Sequence, residues 1–213
     1  MPTHAAPDCP ALPACHASLP TRTIFHRLSA LHPLTTQGGD AGGTHSLMAR
    51  GYRIAIAARQ GRGLEARILR GKDPSCKWTH LGLAFAPSST ETWSVVHADP
   101  GRGHDGHVRH VLFAEFAAHG VCARLIPLPV ANVETAARLR NEALRHVGMP
   151  FDGSYDWTRT DAMYCTSLLW RIFNMVGIPA PQPPFPSFAL PMFGARELIL
   201  PSLFTQHIGE PCI

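Results

Sequence analysis

Apolar and polar positions change period several times along this chain, and each change marks an element. From Arg53 to Ala58 the run Arg-Ile-Ala-Ile-Ala-Ala predicts a buried strand, and a Gly-Arg-Gly turn follows it. Leu64, Ile68 and Leu69 then recur at helical spacing. Two β-type runs come next, Trp78 to Phe85 and Trp93 to Ala98, joined by Ala-Pro-Ser-Ser-Thr-Glu-Thr, so they are expected to form an antiparallel pair. A Gly/His/Asp-rich loop over residues 99–107 leads to a short helix at Leu112–His119 and a strand at Val121–Leu128. Val133, Ala136, Ala137, Leu139 and Leu144 keep one face of a helix from about Asn132 to His146, which Gly148 and Pro150 stop. Leu168, Leu169, Ile172, Phe173 and Val176 do the same for a helix that begins near Cys165 and ends at Gly177. The last forty or so residues are expected to be mainly extended, with a short helix near Arg196 to Leu200. The pattern predicts an α+β fold, a small antiparallel sheet packed against helices, without internal repeats.

Composition sets the scale. The chain has 213 residues, 45% hydrophobic and 16% charged, which suits one sizeable core. Residues 1–45, rich in Pro, Gly, His and Thr, cannot bury much surface and are expected to form a flexible leader, leaving 46–213 as the domain. The net charge of +4 comes from scattered arginines without a basic block, which argues against nucleic acid as a partner. No run approaches the roughly 18 apolar residues of a membrane span, so no transmembrane segment is expected. Met1 to Leu19 lacks the basic start and apolar run of a signal peptide, so synthesis is expected to leave the protein in the cytoplasm. Export would then need a non-classical route, such as a dedicated secretion system, and an immunity-type partner would fit that case.

Cysteines stand at 9, 15, 76, 122, 165 and 212, without the C-x-x-C pairs of a zinc ribbon or a redox motif. One of them has the setting of a nucleophile. Cys165 follows a polar, aromatic turn and opens an apolar helix, where unpaired backbone N–H groups and the helix dipole favour thiolate. A thiol nucleophile needs a base, and the base needs a group to hold its tautomer. In Lys-Trp-Thr-His-Leu-Gly-Leu, alternation places Trp78, His80 and Gly82 on one face; His97 lies near the end of the returning strand, within reach of His80 across the hairpin. The plain alternatives are a half-buried strand histidine and a small core cysteine. Tyr164 is either an oxyanion or substrate contact or a packing residue. Asp152 in Pro-Phe-Asp-Gly is expected to support the loop before the nucleophile helix, and Asp161 to serve as an N-cap or first-turn acid of that helix.

In their order along the chain, these segments resemble the circularly permuted branch of the NlpC-type papain-like cysteine hydrolases, the YiiX- and YaeF-like proteins. Lys-Trp-Thr-His-Leu-Gly-Leu is similar to that family's Ser-His-Val-Gly-Ile strand, and Trp-Ser-Val-Val-His-Ala to the next strand, which carries the third polar residue. Gly148-Met-Pro-Phe-Asp152 resembles Gly-Lys-Pro-Tyr-Asp, and the segment Asp161 to Trp170 resembles Asp-Xaa-Xaa-Tyr-Cys-Ser-Glu-Leu-Val-Tyr. Glu197 to Phe204 is like the segment that closes such domains, so the resemblance runs from about residue 50 to 205. It implies a permuted papain-like fold, Cys165 as nucleophile, His80 as general base and His97 as the third residue. Ser167 stands where the family has glutamate, so any support from that carboxylate must come from elsewhere.

The implied reaction is acyl transfer through a thioester, without a cofactor, on a peptide or other acyl-bearing small substrate. Cell-wall peptide amides are what the peptidase relatives imply, whereas a histidine at 97 leans toward lipid or thioester acyl chemistry. Two other classes compete. Asp99, His104, Asp105, His107 and His110 crowd one Gly-rich stretch and offer zinc-type ligands at loose spacing. An inactive papain-like fold serving as an interaction protein is the third class.

Overall fold

β1 (Tyr52–Gly61) is built to be central: its middle six residues, Ile54 to Arg59, are buried, and small alanines alternate with isoleucines so that both faces can be covered. A computed structural model describes residues 51–74, 76–101, 105–190 and 194–209, all within the compact unit Met48–Ile213. The leader expected at 1–45 lies outside the described residues, as do Cys9, Cys15, His104 and Cys212.

After β1 come α1 (Leu64–Lys72), β2 (His80–Pro87), β3 (Ser94–Asp99), β4 (His107–Leu112), α2 (Phe113–Ala118), β5 (Gly120–Pro127), α3 (Val133–Arg145) and α4 (Cys165–Val176). A two-stranded ribbon, β6 (Ser187–Leu190) with β7 (Gly194–Glu197), and α5 (Pro201–His207) complete the fold. The main sheet is antiparallel throughout, in the order β4-β3-β2-β1-β5. This is the α+β architecture that the periodicity predicts.

Two departures stand out. β4 takes His107 from the expected loop and Leu112 from the expected helix; its two buried residues, Val108 and Val111, stand three apart among polar residues that an edge strand tolerates, so no period of two is visible. The terminal helix begins at Pro201, and Arg196 lies in β7 instead, because Pro at the first helical position sets the start.

The sheet divides the core into two layers. Ile54, Ile56, Leu81, Leu83, Phe85 and Val96 share one cluster with Leu139 of α3 and Leu168, Leu169, Ile172 and Phe173 of α4. The smaller side chains Ala55, Ala57, Ala84 and Val95 pack on the other face against Phe116 of α2. α3 starts on an Asn132 side chain that accepts from the Thr135 N–H at 2.8 Å, and α4 ends at Gly177, whose φ of 80° suits glycine.

Gly82 belongs to the α2 face and admits no side chain: a Cβ there would meet the His97 Cβ and the Val96 carbonyl oxygen, each at 2.9 Å. Gly82→Ala is therefore expected to destabilise the fold by about 1–3 kcal/mol and to lower the melting temperature by several degrees, while pushing His97 out of place. An unchanged thermal melt would contradict this packing.

Candidate active site

The register of the sheet brings His80 and His97 together. Leu83 pairs with Val96, so one further step sets His97 opposite Gly82 and diagonal to His80, and the bare Gly82 leaves room for both rings. His80 Nε2 and His97 Nδ1 are 3.0 Å apart, with the rings edge to face. Both side chains are buried on the α2 face and lie near the Phe116 ring. Trp78, expected on the same face as His80, precedes the strand and joins the opposite cluster.

Sequence reasoning passed over the residue opposite His80. Arg59 pairs with His80 across β1 and β2, is buried, and donates from a guanidinium nitrogen to the Phe116 carbonyl at 2.9 Å. Its guanidinium carbon lies 4.7 Å from the centre of the Phe116 ring. Beyond the pair, Asp99 accepts from Arg109 at 3.3 Å and from the Gly101 N–H at 3.1 Å. Burial, then Arg59, then His97 hold the imidazole of His80 well below its ordinary value. Burial and Arg59 do the same at His97, against the pull of Asp99. The resting site thus holds two neutral imidazoles, and one N–H joins them.

That neutrality has a pH consequence with a definite sign. Unfolded, each histidine takes up a proton near pH 6.5; folded, each resists protonation until far lower pH, so the unfolded chain binds more protons as the medium acidifies. Stability is full above about pH 6.5 and is expected to fall below it, by up to about 1.4 kcal/mol per pH unit for each histidine. Chemical denaturation at pH 7.5 and pH 5 checks this; a smaller difference between the two midpoints in the His80→Gln/His97→Gln double variant would trace that part of the loss to the pair, the remainder belonging to His110 and His146, which burial also holds below the ordinary value.

α4 delivers Cys165 to the same end of the sheet. β3 ends and β4 begins at the pair Asp99–His107, His107 bridges Pro150, and Phe151 bridges Met163, two residues before the cysteine. The Phe151 N–H donates to the Gly106 carbonyl at 2.8 Å, the Met163 N–H to the Pro150 carbonyl at 3.0 Å and the Asp152 N–H to the Met163 carbonyl at 3.0 Å. Cys165 is the first residue of α4 and is buried, and the helix packs against β2 and β3. Its apolar stripe meets the Leu81 and Leu83 face, while His80, the first residue of β2, stands at the strand end on the other face.

The helix start is braced without a carboxylate. Ser167 Oγ accepts from the Tyr164 N–H at 3.0 Å and donates to the Tyr164 carbonyl at 3.0 Å, so serine does at short range what a glutamate at the third helical position does from further away. The cap is Tyr164 and not Asp161, whose exposed carboxylate instead pairs with Arg159 at 2.6 Å. The Tyr164 hydroxyl accepts from the Ile199 N–H at 3.2 Å, and Thr166 donates to the Ile199 carbonyl at 2.5 Å, which ties the helix start to the chain before α5. Asp152 is fully buried and accepts from the Ser154 N–H at 3.0 Å, the Ser154 hydroxyl at 2.6 Å and the Asp156 N–H at 2.7 Å.

A cleft of about 510 Å³ opens beside His80, between the Gly61–Gly63 turn that starts α1 and the end of β3, with Arg59, Arg62, Asp99, Arg109 and His119 among its walls. The residues weighed as metal ligands do not converge: His110 stacks on Phe85 on the α4 face, Asp99 is engaged by Arg109, and His107 Nδ1 lies 2.8 Å from the Asp105 carbonyl oxygen. Among the described residues no group of three such side chains could hold an ion. Cys76, Cys122 and Cys165 are thiols, with no disulfide among the described residues.

Residues 63–185 match the family model described as permuted papain-like amidase enzyme, YaeF/YiiX. The chain is 29% identical over 77 residues to the uncharacterized protein YiiX of Escherichia coli, a stretch that is 34% of this chain and 38% of YiiX. A crystal structure from Escherichia coli, described as metalloprotein yiiX, is 19% identical and covers 62% of this chain and 71% of that one, with a TM-score of 0.49.

Proposed function

The chain belongs to the permuted papain-like amidase family, YaeF/YiiX, and from that premise we propose that it is a cysteine hydrolase cleaving an amide bond of a cell-wall peptide. Cys165 is the nucleophile, His80 the general base and His97 the residue that orients His80. The observation that carries this reading is the 3.0 Å contact between His80 Nε2 and His97 Nδ1 at the sheet end that also receives the first turn of α4. When His80 donates through Nε2 to His97, its Nδ1 keeps a lone pair that can take a proton from a thiol.

Cys165 Sγ attacks the amide carbon as its proton passes to His80. The tetrahedral oxyanion is held at the helix start by the Cys165 N–H. Collapse breaks the C–N bond, and His80 gives its proton to the departing amine. Water, deprotonated by His80, then attacks the thioester, which releases the acid and restores the thiol. Asp152 and Ser167 hold the loop and the helix start, and Tyr164 anchors both to Ile199.

Iodoacetamide tests the assignment directly. It is expected to label Cys165 ahead of Cys76 and Cys122, with a rate that stays level from about pH 6 to 8, because a neutral imidazole accepts the proton across that range. His80→Ala should abolish the selectivity. Labelling of the three thiols at rates that track exposure alone would defeat the proposal.

A further inference from the structure

Phe116 is the one buried residue of α2, and three groups of the candidate site meet on its ring. The His80 ring lies 5.7 Å from it and the His97 ring 5.1 Å, centre to centre, with the Arg59 guanidinium carbon 4.7 Å from its centre. Arg59 also donates to the Phe116 carbonyl at 2.9 Å, so one side chain holds both the ring and the backbone of the residue that covers the imidazole pair. The sheet fixes this grouping. Arg59 stands directly opposite His80 in the β1–β2 register, so both side chains leave the sheet on the α2 face. Arg59 is only 8% exposed, and burying a cation is costly. Tying α2 to the sheet is one use for it, and its place beside two histidines points to another. The His80–His97 bond has room for one N–H. A thiol proton that arrives at His80 Nδ1 leaves that bond intact. A proton already resting on His80 Nδ1 occupies the place the thiol proton needs, and one on His97 Nδ1 sets two N–H groups face to face. A fixed guanidinium on the same face opposes both.

We propose that Arg59 is a positioning residue for amide hydrolysis, fixing the His80–His97 pair through Phe116 and using its charge to keep a resting proton off both rings. The proposal rests on the cysteine-hydrolase reading, in which His80 is the base. Other charges face the pair as well. Arg109 of β4 and His119 after α2 act on His97 in the same direction as Arg59, Asp99 at the end of β3 acts in the opposite one, and α4 brings the Cys165 thiol to this end of the sheet. After burial, Arg59 is the largest influence on either ring.

The test is the pH profile of peptide-amide turnover by the full chain. In Arg59→Met the acid limb of kcat/KM is expected to move up toward the ordinary histidine value, so that the loss between pH 7.5 and pH 5 grows at least about tenfold over that of the unaltered chain. Arg59→Lys keeps the charge without the fork, and should keep the low limb while kcat falls. KM should change little in both, because the group acts on the base and not on the substrate. A limb unmoved in Arg59→Met, a limb that moves equally in Arg59→Met and Arg59→Lys, or a rise in KM with kcat unchanged would overturn the proposal. A role in packing alone predicts the first of these beside a lower melting temperature. If Arg59→Met does not fold, ring-nitrogen NMR of the unaltered chain decides: both rings should stay neutral at pH 6 with the His80 proton on Nε2, and a ring that titrates at the ordinary value beside an intact Arg59 would overturn the proposal. The two readings also fail separately. Turnover that survives in folded Cys165→Ala removes the hydrolase reading and leaves the ring titration standing; Cys165-dependent turnover with an acid limb indifferent to Arg59 removes the role of Arg59 alone.

Discussion

Cys165→Ala is expected to lower amide hydrolysis by roughly 10⁴-fold or more while leaving the fold in place. The size follows from the division of labour: without the thiol there is no thioester, and what remains is the modest help of a bound substrate beside an N–H donor. The fold should tolerate the change. Cys165 sits at the end of the α4 stripe, and the helix is held by Leu168, Leu169, Ile172 and Phe173, all fully buried. Losing one sulfur at that rim is expected to cost about 1 kcal/mol, a shift of a few degrees in a thermal melt. Turnover of a peptide amide measured beside circular dichroism distinguishes a dead site from an unfolded one. Activity that survives in a folded Cys165→Ala protein would end the assignment of Cys165 as nucleophile.

The second large effect belongs to the imidazole pair. His80→Ala is expected to lower kcat/KM by about 10²- to 10⁴-fold, the range for losing a general base. His97 acts through His80, so its loss should cost less, about 10²-fold for His97→Ala. His97→Gln should recover part of the loss, because the glutamine oxygen can accept the same Nε2–H that His97 Nδ1 accepts. A bulk effect on packing predicts no such rescue. The pH profile carries a further mark: burial and Arg59 hold His80 well below the ordinary histidine value, so the acid limb of kcat/KM should lie below pH 6.5. An acid limb at the ordinary histidine value would mean that the working base is not the buried ring.

How much of this was legible in the sequence depends on the range of the forces that set each part. β1 and α4 declare themselves because their burial repeats along the chain, in Ile54 and Ile56 or in Leu168, Leu169 and Ile172, and periodicity is a local property. The closeness of His80 and His97 could be expected from one hairpin. Arg59 could not: it sits 21 positions before His80, near the end of a strand where arginine reads as a solvated rim, and only the β1–β2 register makes it a buried neighbour of the base. β4 was hidden for a related reason, since an edge strand carries charge at the positions where a central strand carries valine. The Ser167 brace depends on a hydroxyl lying 3.0 Å from its own helix cap, which residue identity alone does not reveal.

The bonds from Ile199 to Tyr164 and Thr166 bear on the order in which the parts of the site can assemble. Synthesis proceeds from the amino end, so the five-stranded sheet with its histidines emerges well before the nucleophile, and the nucleophile helix before the residue that clamps it. A ribosome-bound chain shorter than that clamp therefore lacks the tie that holds the start of α4. The brace on the start of α4 is thus among the last contacts that the growing polypeptide can form.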